Sequence, residues 1–190
     1  FLGTLGHSPI VDAIVKAKNI DTSAIAGKWE SFMITTVADP LPGIKSGLLI
    51  IGADRRGTAF GATTLSQKIG VSPWNWWADV PAQHHDALFV STGSGAAPYV
   101  QPSPSVKYRG IFLNDEDWGL QPWAAKTYEP NLVRAVSPDE LAKGEKPGGS
   151  HGDIGPKTYA RIFELLLRLH ANFCWPAMHG VTEAFDLYPE

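Results

Sequence analysis

A single cysteine, Cys174, is all that the 190-residue chain holds, so no intrachain disulfide is available and the redox compartment is left open. No apolar run approaches the roughly 20 residues that a membrane-spanning helix needs. Charge of one sign is also scarce. A formal net charge of -3 and a pI near 6.1 give no electrostatic reason to expect nucleic acid or an anionic membrane as partner. The first residues, FLGTLGHSP, show no initiating Met, no basic n-region and no apolar h-region, so no targeting signal is visible. The chain therefore reads as part of a larger frame or a processed product. Both nucleotide fingerprints are missing too. Gly57-Thr-Ala-Phe-Gly61 has neither GK[ST] nor G-x-G-x-x-G, and close helix packing explains it.

What is present is ordinary globular material, 44% hydrophobic and 18% charged, enough for one sizeable core or two small ones. Seven tryptophans are the compositional excess, three of them in Trp74-Asn75-Trp76-Trp77.

Local patterns predict an alternation of helices and strands. Ser8-Pro9 opens a helix, with Ser as N-cap and Pro at the first helical position, and Ile10, Ala13, Ile14 and Ala17 form its apolar face. Glu30 to Val37 reads as a strand, and Gly47 to Ala53 as a strand buried on both faces. Gly57 to Ile69 reads as a helix whose Gly57 and Gly61 permit close approach to the sheet. Residues 1–92 thus form an expected N-terminal α/β domain. The Ser/Gly/Pro-rich stretch 93–105 is the expected linker. Residues 106–190 then supply a strand (106–113), a long excursion, a helix from Pro156 and a second strand (171–178). That helix should bury Tyr159, Ile162, Phe163, Leu166 and Leu169.

The stretch Tyr108-Arg-Gly-Ile-Phe-Leu-Asn-Asp-Glu-Asp-Trp-Gly-Leu120 carries the chemistry. An apolar strand ends directly on Asn114, Asp115, Glu116, Asp117 and Trp118. In a (β/α)8 barrel the C-terminal strand ends bear the active site. Side-chain alternation lets only some neighbours reach one mouth, and Asn114 with Asp115 are favoured. A solvated acidic turn is the plain alternative. Paired carboxylates suit glycosidic bond cleavage, one donating a proton while the other acts on the opposite face. A second carboxylate has to come from another strand.

Other constellations carry less. Trp74, Trp76, Trp77, Trp118, Trp123 and Trp175 could stack on sugar rings. Core or interface packing is the plainer reading for the first three, and Trp118 and Trp175 are the better candidates. His179 could hydrogen-bond a sugar hydroxyl or serve structurally. Cys174 and His179, on a strand and its following loop, diverge and leave an inert buried thiol. His84-His85-Asp86 lacks a distant partner motif for a metal site, and Lys143 to Lys146 is a solvated loop.

The stretches GTLGHSP (3–9), GKWESF (27–32), GADRRGTAFG (52–61), IGVSPWNWWADVP (69–81), YRGIFLNDEDWGL (108–120), GPKTYARIFELLLRLHAN (155–172) and WPAM (175–178) resemble glycoside hydrolase family 115. The resemblance runs over nearly the whole chain. It implies a xylan α-1,2-glucuronidase that releases glucuronic or 4-O-methylglucuronic acid with inversion, without metal or organic cofactor. It also implies an α/β domain followed by the first βα units of a (β/α)8 barrel. Asn114 and Asp115 match the family's strand-end Asn-Asp that lines the uronic-acid pocket, Asp115 being the expected catalytic residue. Glu116, Trp118, Trp175 and His179 are the expected substrate contacts, although many members carry an aromatic where His179 stands. Residues 131–150 look like an insertion relative to the family. Its general acid lies beyond the two barrel strands seen here.

The resulting expectation is an N-terminal fragment of such an enzyme, inactive alone. Glucuronoxylan is its expected partner, without nucleic acid or membrane, and a homodimer of the full-length parent is open. Resemblance alone implies an extracellular or periplasmic parent. The alternatives are a non-catalytic carbohydrate-binding module using the Trp cluster, and a structural α/β module with Trp74 to Trp77 fully buried.

Overall fold

The computed structural model describes residues 1–92, 97–113, 119–132, 139, 142–144 and 154–177. The chain divides into two compact units, Phe1–Lys107 with Leu167–His170, and Tyr108–Leu166 with Ala171–Glu190.

The first unit is built on a four-stranded mixed sheet. Its strands are β1 (Leu2–Thr4), β2 (Phe32–Leu41), β3 (Ile44–Gly52) and β4 (Tyr99–Gln101), in the order β1-β3-β2-β4. β1 runs parallel to β3, while β2 is antiparallel to both β3 and β4. The β2–β3 hairpin closes on Pro42-Gly43, where Gly43 takes φ +83°, the sign a tight Pro-Gly turn demands. Register slips between Ala38 and Leu41, where Asp39 sits at φ +47°, so a bulge carries the extra residue before the turn.

Successive residues of β3 divide between two cores, because alternate side chains leave opposite faces. Leu49 and Ile51 join Val11, Ile14, Ile25, Met33 and Val37, whereas Ile50 joins Phe32, Ile34 and Phe60. The continuous apolar run of β3 is therefore the mark of a strand covered on both sides. Helix α1 (Pro9–Ala17) covers one side, with Pro9 in its first turn as expected. Its buried residues are Val11 and Ile14; of the predicted row Ile10, Ala13, Ile14 and Ala17 only Ile14 is buried, and Ile10 is 46% exposed. The stripe is thus turned toward Val11 by less than the roughly 100° that separates neighbouring residues, a rotation that periodicity in a nine-residue helix does not resolve. Ser8 caps it by position without a side-chain hydrogen bond.

Helix α2 (Arg55–Lys68) covers the other side. Asp54 is its N-cap: Oδ1 accepts from Gly57 N at 2.7 Å. Its other oxygen accepts from Glu30 N at 2.8 Å, and so ties the helix start to the entry of β2. Glu30 is buried at φ +56°, with its carboxylate on Arg56 Nε at 2.6 Å.

β4 falls inside the stretch expected to be a linker. Tyr99, Val100 and Gln101 pair with Ile34, Met33 and Phe32, because β2 would otherwise leave its ladder groups open on that edge. Leu167–His170 also belong to this unit. His170 stacks on Phe60 at 4.8 Å, meets Phe32 edge-on at 5.8 Å, and shares a 3.0 Å hydrogen bond with Thr64 Oγ1.

The second unit contains a two-stranded parallel sheet, β5 (Gly110–Phe112) and β6 (Phe173–Trp175). Between them lie α3 (Leu120–Trp123), a π-helical turn (Ala124–Tyr128) and α4 (Pro156–Arg168). Both strands are shorter than the expected 106–113 and 171–178. Gly110 is required where they meet, since a Cβ there would fall 1.7 Å from the Phe173 carbonyl oxygen. Helix α4 starts at Pro156 as expected and buries Thr158, Tyr159, Ile162 and Leu166. Phe163 and Leu169, expected on the same face, are 40% and 44% exposed; Phe163 lies at the stripe edge, and Leu169 lies beyond the helix end. The helix closes where Ala171 N donates to Leu166 O and His170 N to Leu167 O, with His170 left-handed at φ +56°. The described residues have α/β character.

Candidate functional site

Site chemistry was expected at the C-terminal ends of β5 and β6. Asn114, Asp115, Glu116 and Trp118, together with His179, lie outside the described residues. What is described is the pair of strands that precede them in sequence. Parallel register pairs Gly110 with Phe173, Ile111 with Cys174, and Phe112 with Trp175. Leu113 N continues the ladder onto Trp175 O at 2.9 Å, fixing the backbone immediately before Asn114. At the opposite ends, Asn172 Oδ1 accepts from Arg109 N at 3.1 Å, and Asn172 N donates to Arg109 O at 2.8 Å.

Trp175, the one expected contact that is described, ends β6 with about half of its surface exposed. Its indole meets the Phe112 ring edge-on, with centroids 5.6 Å apart and planes at 75°. Cys174 points to the other face of the strand, half-buried, and desolvation raises its thiol pKa above the ordinary value. Beyond β6, Ala177 N donates to the phenol of Tyr159 at 3.2 Å, so α4 helps to hold the segment that leads to His179.

The connection after β5 is anchored by Glu129, a residue that sequence reasoning did not single out. Its buried carboxylate accepts from Lys157 N at 3.1 Å and Thr158 N at 2.9 Å, and also from the Thr158 hydroxyl. The two backbone donors are orphan N–H groups of the first turn of α4, whose positive end favours an anion. Gly155 leaves room for it, since a Cβ there would come within 2.6 Å of Glu129 Oε1. Just before it, Trp123 and Tyr128 stack at 5.2 Å. Arg161 is held above its ordinary pKa by hydrogen bonds to Tyr128 and Glu164. Nothing in the sequence marked Glu129, because the partners it caps lie 28 and 29 residues away. Phe112 was visible only as an apolar strand residue.

In the first unit, Trp76 and Trp77 meet edge-on at 4.8 Å and are half-buried, while Trp74 is 45% exposed. Full burial, which a purely structural module would need, is not what this loop has. Short bonds hold it: Ser72 Oγ accepts from Trp74 N at 3.1 Å, and Ala78 N donates to Trp74 O at 2.9 Å. His84, His85 and Asp86 lie exposed in an irregular segment. Among the described residues, no group of three or more His, Cys, Asp or Glu side chains is placed to hold a metal ion.

Residues 101–189 match the model of glycosyl hydrolase family 115. A solved structure of a family GH115 4-O-methyl-α-glucuronidase, BtGH115A, described as specific for decorated arabinogalactans, superposes with a TM-score of 0.74 at 43% identity. The alignment covers 99% of this chain and 21% of that one, so the chain spans about a fifth of the relative's length. No curated protein matches it. With sequence and fold in agreement across both units, the chain belongs to glycosyl hydrolase family 115.

Proposed function

We propose that the protein carrying this chain is an inverting glycoside hydrolase that removes glucuronic or 4-O-methylglucuronic acid from the α-1,2 linkages of xylan side chains. The observation that carries this is the 43% identity, over 99% of the chain, to a 4-O-methyl-α-glucuronidase. β5 and β6, with their intervening helix, are in this reading the first βα units of a (β/α)8 barrel, whose strand ends carry the chemistry. Parallel pairing and the exposed aromatic end of β6 support it.

Inversion needs two carboxyl groups roughly 6.5–9.5 Å apart, one protonating the leaving oxygen and one activating a water on the far face. Asp115 positions the substrate or the attacking water, Asn114 binds the uronic acid beside it, and Glu116, Trp118, Trp175 and His179 complete the contacts. The general acid comes from another strand end, so the 190-residue chain is inactive by itself. The parent acts outside the cell or in the periplasm, where its polysaccharide is. The solved relative's specificity names a second substrate to test, decorated arabinogalactan.

The experiment compares uronic-acid release from glucuronoxylan and from arabinogalactan by the 190-residue chain and by the full-length protein. Release by the longer protein alone, lost in Asp115→Asn, is the expected result. Activity of the short chain would refute the missing-acid account, and preference for arabinogalactan would redirect the substrate.

A second reading, a non-catalytic carbohydrate-binding module, draws on the exposure of Trp74. It requires retention of the chain on insoluble xylan that survives Asp115→Asn and fails in Trp74→Ala.

A further inference from the structure

We infer that Phe112 is a positioning residue for the sugar subsite, its ring holding the indole of Trp175 in the orientation that stacks against the uronic-acid ring. This rests on the hydrolase reading above and adds a residue to it.

Phe112 and Trp175 are register partners on adjacent parallel strands, so both side chains leave the same face of the sheet. Ile111 and Cys174 leave the other. The two rings meet edge-to-face, with centroids 5.6 Å apart at 75°, the arrangement in which the positive ring edge meets the negative ring face. The backbone beneath them is fixed as well, because Leu113 N donates to Trp175 O at 2.9 Å. With backbone and one ring edge held, rotation of the indole about its own side-chain bonds is what remains, and the Phe112 ring restricts it. Both rings are about half exposed, at 55% and 52%. Among the described residues they therefore keep free area on the same face.

A pyranose presents apolar C–H groups on its ring faces, and an indole held in place receives them without first giving up rotamer freedom. An unsupported indole would pay that ordering on each binding event. Phe112 acts through Trp175, so it changes how tightly sugar is held and leaves the bond-breaking step alone. Loss of such uniform binding raises KM and leaves kcat unchanged.

The test uses the full-length protein and follows uronic-acid release from glucuronoxylan oligosaccharides for wild type, Phe112→Leu and Phe112→Tyr, with thermal melting in parallel. Phe112→Leu is expected to raise KM about 2- to 10-fold, the range an edge-to-face aromatic pair contributes. Its kcat should stay within about twofold, and Phe112→Tyr, which keeps the ring edge, should restore KM. An unchanged KM in Phe112→Leu, a fall in kcat alone, or a Tyr variant as impaired as Leu would overturn the inference. If Phe112→Leu does not fold, Phe112→Met repeats the comparison without a ring. Loss of the fold in both would make the ring structural and end the positioning role. A wild-type protein that releases no uronic acid from any substrate would instead sink the hydrolase reading, and this inference with it.

Discussion

Gly57, in the first turn of α2, faces the backbone of Ser31 so closely that a Cβ would stand 2.3 Å from the Ser31 carbonyl oxygen. That oxygen already accepts from Ala53 N at 2.9 Å. Helix and sheet therefore meet backbone to backbone, at the point where Asp54 joins the two by bonding both Gly57 N and Glu30 N. Gly57→Ala is expected to destabilise the first unit by about 1–3 kcal/mol, the usual range for overpacking a closed contact. Urea denaturation followed by circular dichroism would show it as a lower midpoint. A midpoint equal to wild type would mean that the helix can step back without loss.

His170 should matter although it sits far from β2 and α2 in sequence. Its ring lies on Phe60 and against the edge of Phe32, both buried, and its Nε2 reaches Thr64. His170→Ala removes stacking, edge contact and hydrogen bond together, and should lower stability by about 1–3 kcal/mol. His170→Phe keeps the ring and loses only the bond, so it should fall between wild type and Ala in the same denaturation series.

Glu129 supports α4 from its N-terminal end. Glu129→Ala strips the buried N–H of Thr158, and the part-buried N–H of Lys157, of their acceptor. Such unsatisfied donors cost about 1–3 kcal/mol, and faster hydrogen exchange of the first-turn amides of α4 would report it. Glu129→Gln retains an acceptor oxygen and should be milder. Equal exchange in wild type and the Ala variant would assign capping of α4 to another group.

Cys174 should be a sluggish thiol. Burial raises its pKa above the ordinary value of roughly 8.5, so the neutral form prevails at pH 7. The associated stability is fully present below the ordinary pKa and is lost as pH rises through the folded-state value. Labelling with a thiol reagent should therefore be slower than for a free cysteine at pH 7, and should accelerate on alkalinisation or unfolding. Fast labelling of the native protein at neutral pH would contradict the desolvation that the fold imposes.

Local features were the legible ones. Pro9 and Pro156 announced helix starts, because a fixed φ and a missing N–H suit the first turn and little else. The unbroken run Leu48–Ile51 announced a strand covered twice, and the spacing of Gly57 and Gly61 announced a close helix. The helix rotation of α1 was not legible, since Ile10 and Val11 are equally apolar and the sheet selects between them. The Ser/Pro-rich stretch around Tyr99 read as a linker because its composition suits one. Only the open edge of β2 gives it a reason to be a strand.

Sequence alone determined the two long strands of the first sheet, the helices that begin near Pro9, Gly57 and Pro156, the absence of disulfide and membrane-helix signals, and the acidic run that follows an apolar strand. Those are properties of neighbouring residues, and turn, cap and alternation rules act over a few positions. Only the tertiary structure decided which residues meet from afar. It brought Phe112 to Trp175, Glu129 to Thr158 and His170 to Phe60. Each of those contacts depends on strand register or helix rotation. A one-residue change in either would turn the side chain away while leaving every local preference satisfied.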